Sequence, residues 1–239
     1  MYDDDFRDNS YASAESFNAF MTKVFGWLFL GLLLTAAASL FFIGMLADET
    51  SIAYALFGNM GFFIAMIIAE LVLVFALSAT IHKIGAGLSK LMYAVYAVVN
   101  GITLSYIILM YASAVVTQAF LMAGVFFGVM CLYGYFTKSD MTSLSRILSI
   151  GLVCLIVPML INMFIGSRTM DFIVCLAGLA IFVGLTAVDV QKIKTQYFAQ
   201  AAATGEEMAK KTAIMGALKL YLDFINMFIF ILRLLGRRD

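Results

Sequence analysis

Long apolar runs separated by short polar stretches make up almost the whole chain. Seven runs stand out, at about 22–46, 60–81, 91–111, 113–136, 146–166, 171–190 and 214–235. A helix needs about 20 mostly apolar residues to cross the hydrocarbon of a bilayer, so the pattern predicts seven spans. Only YASA divides the third run from the fourth, which predicts a tight helical hairpin. No stretch alternates polar and apolar residues at the period of a membrane barrel. The seventh run is the most polar, with Lys219, Asp223, Asn226 and Arg233. An ionised side chain facing lipid at mid-bilayer costs several kcal/mol, so this helix is expected inside the bundle, sheathed by the other six. The predicted fold is an all-α membrane protein: a seven-transmembrane-helix bundle over residues 21–239 with the C-terminal helix central. An acidic flexible tail, residues 1–20, precedes it.

Composition agrees. The chain is 64% hydrophobic and 13% charged, with a mean hydropathy of +1.01, whereas soluble domains are nearer half apolar. Fifteen basic residues balance fifteen acidic ones, which removes the basic field that nucleic-acid binding requires. Cys131, Cys154 and Cys175 lie in apolar runs without a second ligand at metal spacing, and read as small packing residues. His82 is the single histidine and cannot build a zinc site alone. No resident cofactor and no enzyme are predicted. The start, MYDDDFRDNSYASAESFNAF, lacks the basic residues and short apolar core of a secretory signal.

Charge sets the expected orientation. Eleven of the fifteen basic residues fall on the side of the N-terminus and only Arg168, Arg233, Arg237 and Arg238 on the other. The positive-inside rule then places the N-terminus in the cytoplasm and, after seven spans, the C-terminus outside. The linker QKIKTQYFAQAAATGEEMAKKTA (191–213) is expected to extend the sixth span as a helix, turn at Thr204–Gly205, and re-enter.

Carboxylates at membrane depth carry the chemistry. GLTAVDVQKIK puts Asp189 near the cytoplasmic end of the sixth span, and LKLYLDFINMF puts Asp223 nine residues past Ile214 in the seventh. Nine residues are about 13 Å of helix, so both aspartates lie in the cytoplasmic third of consecutive antiparallel helices. Two carboxylates within a few ångström do not both ionise easily, and they titrate as a unit. Such a pair suits a proton-sensitive gate, a site for a hard cation such as Ca²⁺, or an acid/base couple. The plainer alternative is local pairing, Asp189 with Lys192 and Asp223 with Lys219, the lysines reaching to water. Glu70 stands mid-way along the second span without a local partner, and Arg233 is its best candidate cation. His82 and Lys83 close the second span level with the aspartates. Either serves as a latch for a carboxylate or as a positive-inside anchor. Asn100, Gln118 and Asn162 read as interhelical hydrogen-bond donors. Pro158 is expected to kink the fifth span, and the small residues of GITLSYI and AGVFFG offer close packing.

GLTAVDVQKIK followed by LYLDFINMFIFILRLLG resembles the Bax inhibitor-1 (transmembrane Bax inhibitor motif) family, in its bacterial inner-membrane branch. VFGWLFLGLLLTA, GITLSYI and LYGYFTKSDMTSLSRIL extend the resemblance over residues 20–236. It implies a seven-helix bundle around the last helix, and a pH-sensitive Ca²⁺ leak closed by an aspartate pair that maps onto Asp189 and Asp223. It also implies an ion pair between Glu70 and Arg233, and a basic latch at Lys83 or His82. Where the family often has Tyr before the first aspartate and Thr after it, this chain has Val188 and Val190.

Three functions follow as expectations. The first is a pH-sensitive calcium leak channel or transporter in the inner membrane, with Asp189 and Asp223 holding Ca²⁺ only in transit. The second is a non-transporting regulator of a membrane protease or another membrane partner, acting through the acidic tail. The third is an intramembrane aspartyl protease, which needs two aspartates but also a Gly-x-Gly before the second; LKLYLDF has none. The lipid bilayer is the expected surrounding in each case, and the sequence specifies no oligomeric state.

Overall fold

A computed structural model describes residues 2–46, 48–81, 83–200 and 206–238. Eight α-helices follow in chain order: α1 (Tyr2–Met45), α2 (Ile52–Phe57), α3 (Met60–Thr80), α4 (Ala86–Ile108), α5 (Ser113–Phe136), α6 (Thr142–Ile165), α7 (Arg168–Gln200) and α8 (Glu206–Leu235), with a 3₁₀ turn at Gly236–Arg238. No strand occurs among the described residues. All but α2 are long and apolar enough to span a bilayer, over Phe17–Met45, Met60–Thr80, Ala86–Ile108, Ser113–Phe136, Thr142–Ile165, Arg168–Phe198 and Ala209–Leu235. The protein is an all-α, seven-span membrane protein. Helices suit this setting because each satisfies its own backbone polar groups where no water can.

The backbone of α1 begins at Tyr2 and so includes the acidic residues ahead of the first span. α6 runs through Pro158 without ending. The extension of α7 to Gln200 realises the helical part of the 191–213 linker, while Thr204 and Gly205 lie outside the described residues. Burial separates the helices by role. In their most apolar windows α3 and α6 are each 6% buried, which marks lipid-facing helices, whereas the window of α8 is 72% buried.

The chain divides into two units, Met1–Leu109 with Gln196–Leu218, and Met110–Thr195 with Lys219–Asp239. In the first unit α1 packs along α4 through small residues. A Cβ on Gly101 would lie 2.4 Å from the Thr35 carbonyl oxygen, so only glycine permits this approach. The Thr35 hydroxyl reaches the carbonyl oxygens of Gly31 (2.9 Å) and Ala97 (3.0 Å). The Tyr93 hydroxyl donates to the Trp27 carbonyl at 2.9 Å, and Lys90 sits 5.5 Å from the centre of the Trp27 ring. GITLSYI thus packs as expected. The short α2 is fixed by Ser51, whose hydroxyl accepts from the Tyr54 amide and donates to the Met45 carbonyl. Around it Phe42, Phe57 and Phe63 gather on the Tyr106 ring.

In the second unit the α5 contact comes from a glycine other than those of AGVFFG. Cβ atoms on Gly124 and Gly128 would meet nothing within 4 Å, whereas one on Gly134 would lie 2.4 Å from the Ala187 carbonyl oxygen. Asp140 caps the start of α6: its carboxylate accepts from the Thr142 hydroxyl and, at 2.9 Å, from the Thr142 amide. These two bonds, the hydroxyl first, hold the Asp140 carboxyl below the usual carboxylate range. A carboxyl lowered on folding stabilises above its unfolded value and loses that contribution as pH falls through the folded one. Hydrogen exchange at the Thr142 amide should therefore stay slow until the pH falls below the ordinary aspartate range, about 3.9, and accelerate beneath it.

Candidate functional site

Asp189 and Asp223 both belong to the second unit, and it brings them into one electrostatic neighbourhood. α7 reaches Asp189 through a tightly held turn. Gly134 lets α5 touch the α7 backbone at Ala187, two residues earlier, and Ala187, Val188 and Val190 around Asp189 are buried. Val188 and Val190 carry no polar side-chain atom, so neither supplies the acid with a hydrogen bond. Its partner is Lys192, one turn on, whose Nζ lies 3.4 Å from the carboxylate. The expected local pair therefore exists for Asp189.

The rest of QKIK also has defined partners. The Gln191 side chain clamps the α5–α6 connection, accepting from the Met141 amide (3.0 Å) and donating to the Ser139 carbonyl (2.6 Å). Lys194 donates to the Tyr135 carbonyl at 3.0 Å, in the last turn of α5. A cation there offsets the partial negative charge of the helix end. The segment after Asp189 thus ties α7 to the end of α5 and to the loop beyond it.

Asp223 is in a different position. It is 3% exposed, and its Oδ2 has no hydrogen-bond partner among the described residues. Asp189 is the charged group that acts on it most strongly, followed by Lys192 and Lys219 with the opposite sign. Cys131 of α5, also buried, is close enough to feel its charge. Phe224, the next residue, meets the edges of Phe120 and Phe127 of α5, both at 5.5 Å between ring centres. Asn226 does not turn to the aspartate; its amide donates to the Leu222 carbonyl at 2.8 Å. A buried carboxylate oxygen without a donor carries a large desolvation cost, and that cost is lower when the group holds a proton.

The remaining predicted residues have other neighbours. Glu70, in the first unit, accepts from the Asn100 side chain at 3.1 Å, and its buried Oε1 has no hydrogen-bond partner among the described residues. Arg233, in the second unit, forms an ion pair and hydrogen bond with Asp171. The partners found for Glu70 and Arg233 thus differ from the pairing expected between them. Lys83 follows α3 and is exposed, and His82 lies outside the described residues. Among the described residues no three or more His, Cys, Asp or Glu side chains gather to hold a metal.

Asp171 is the functional candidate that the pattern reading missed. It lies in the first turn of α7, and Arg237 also faces its second oxygen at 3.7 Å. The signal is in the sequence: GSRTMDF offers an aspartate on the same predicted side as the three arginines of RLLGRRD. The side chains of Arg233 and Asp171 are 31% and 23% exposed, so their coupling should be modest. A double-mutant cycle with Asp171→Asn and Arg233→Gln is expected to return about 1 kcal/mol, read from unfolding in detergent.

A family model described as "Inhibitor of apoptosis-promoting Bax1" matches residues 17–239. The chain belongs to the Bax inhibitor-1 family. It is 38% identical over 226 residues to the inner membrane protein YbhL of Escherichia coli, with 92% of each chain covered. It is also 37% identical to an uncharacterised protein of Borreliella burgdorferi, over 92% of this chain and 93% of the relative. An uncharacterised membrane protein of Streptococcus pyogenes is 37% identical over 93% and 94%. Family membership, the YbhL likeness and seven spans together make this a multi-pass inner-membrane protein of the Bax inhibitor-1 family.

Proposed function

We propose that this Bax inhibitor-1 family member is a pH-sensitive calcium leak channel or transporter whose gate is the Asp189–Asp223 pair, contributing to ion homeostasis. One observation carries the reading: a buried carboxylate on the last span, with an oxygen that has no hydrogen-bond donor among the described residues, lies under the charge of a second carboxylate that is itself partly exposed and paired. A structural aspartate would be satisfied. This one is held ready to exchange a proton, and its protonation changes the charge that a passing cation meets. Calcium is the substrate here and not a resident cofactor. Its oxygen preference suits two carboxylates. The N-terminus is assigned to the cytoplasm and the C-terminus to the outside, on the charge asymmetry of the connecting loops.

The test is reconstitution in liposomes with a trapped calcium indicator. Calcium entry should exceed that of protein-free vesicles and change with pH. Asp189→Asn together with Asp223→Asn should abolish the pH dependence. Entry no faster than in empty vesicles at every pH defeats the transport reading. Entry with an unaltered pH profile in the double variant defeats the gate.

A further inference from the structure

At the far end of α8 from the aspartate pair, the second unit holds a polar cavity of about 600 Å³. The α6–α7 turn forms one side. There Gly166 adopts φ +65 and the Asn162 carbonyl and side chain accept from the amides of Gly166 (2.8 Å) and Ser167 (2.9 Å). Gly236 and Arg237 form the other side, and Arg168 completes a donor-rich lining. Among the described residues, the lining holds two guanidinium groups, Arg168 and Arg237, and one carboxylate, Asp171. Arg233 already takes one oxygen of Asp171. Arg237 faces the other at 3.7 Å, beyond hydrogen-bond distance, and its buried Nη1 has no hydrogen-bond partner among the described residues. The Arg237 guanidinium is also held 5.3 Å from the Phe172 ring centre. Among the described residues, the cavity therefore has excess positive charge, a fixed planar fork, and an orphaned buried donor.

We infer that this cavity binds a phosphate group, with Arg168 and Arg237 as its principal donors. Tetrahedral phosphate oxygens match a guanidinium fork, and a volume in the range of small-ligand pockets leaves room for more than the phosphate itself. The source is narrowed by the surroundings. Phe164, Ile165 and Phe172, next to the cavity in sequence, are exposed apolar residues at the end of membrane spans. Acyl chains would lie on them while the headgroup phosphate entered the cavity. A phospholipid headgroup is thus the favoured source, and soluble phosphate shares the same chemistry.

Native mass spectrometry of the full chain in a neutral detergent tests the assignment independently of any ion flux. The probes are phosphatidylglycerol, a diacylglycerol with the same chains but no phosphate, and inorganic phosphate. The wild-type protein should retain phosphatidylglycerol and not diacylglycerol. Arg168→Gln with Arg237→Gln should weaken that retention at least tenfold (about 1.4 kcal/mol). Arg168→Lys with Arg237→Lys, which keeps the charge, should bind between the two and serves to separate lost binding from misfolding. Arg146→Gln, which removes one positive charge at the start of α6 away from the cavity, should have no effect. Inorganic phosphate that displaces the lipid, or that binds where the lipid does not, supports the phosphate site and identifies a soluble source as competent. Equal retention of diacylglycerol and phosphatidylglycerol overturns the inference. So does a double Gln variant that binds like wild type, or a loss as large in Arg146→Gln.

Discussion

Asp223→Asn is expected to make calcium flux through the reconstituted protein independent of pH, fixed at the rate that wild type shows at the acid end. Asparagine has nearly the shape of a protonated aspartate and never carries its charge, so it holds the neutral state at every pH. In wild type, loss of the proton puts a negative charge on a 3%-exposed site, beside Asp189 and beyond hydrogen-bond reach of any described donor for Oδ2. The structure must then rearrange or admit a cation. A wild-type ratio of about tenfold between the two ends of the pH range needs only about 1.4 kcal/mol of bias between two conformations. In Asp223→Asn that ratio falls to about one. Asp189→Asn is expected to do less, because Asp189 is partly exposed and has Lys192 at 3.4 Å. Its main effect is to remove the repulsion on Asp223 and so to move the pH at which flux changes. A variant of Asp223 that retains the full wild-type pH profile shows that the buried acid is not the sensor.

The second large effect is expected at Gly134, which bears no chemistry at all. A methyl group there would lie 2.4 Å from the Ala187 carbonyl oxygen and 3.0 Å from its Cα. Backbone atoms of a packed helix cannot rotate away as a side-chain tip does, so α7 must shift along the turn that delivers Asp189. Overpacking of this kind costs about 1–3 kcal/mol. Gly134→Ala should lower the unfolding midpoint in detergent and displace the pH response of flux in the same variant. Gly124→Ala is the matched control on the same helix. A Cβ there meets nothing within 4 Å, and replacing a mid-helix glycine is neutral or stabilising by up to about 1 kcal/mol. Equal stability of the two alanine variants would show that the α5–α7 contact is looser than its geometry implies.

Hydropathy alone located the spans well because crossing a bilayer is first a matter of length and apolarity. The fourth run, 113–136, coincides with its span, Ser113–Phe136. Errors sit where a helix outlasts its apolar stretch. AGLSK and TSLS open α4 and α6 with polar residues that hydropathy discards, whereas the expected helical continuation of α7 through QKIK is present, with Gln191 and Lys194 partnered there. α2 was missed because six residues are too few to register as a run.

The site was legible in depth but not in rotation. Counting residues puts Asp189 and Asp223 at one level, and both lie in the second unit, where Asp189 is near enough for its charge to act on Asp223. Which face each helix presents depends on contacts that hydropathy does not encode. The pattern therefore does not show that the Asn226 amide bonds back to Leu222, and it pairs Arg233 with Glu70 where the structure has Asp171. The glycines of AGVFFG looked like packing residues for the same reason, while the contact belongs to Gly134.

The most direct measurement is the protonation of the pair itself. Infrared difference spectra of the reconstituted protein across a pH series report protonated carboxyl groups, and calcium flux can be recorded on the same vesicles. The account predicts one buried carboxyl band that disappears over the pH interval in which flux changes. That band should be absent in Asp223→Asn and shifted to a different pH in Asp189→Asn. A flux that changes with pH while no such band changes, or a band that survives Asp223→Asn, would contradict the account.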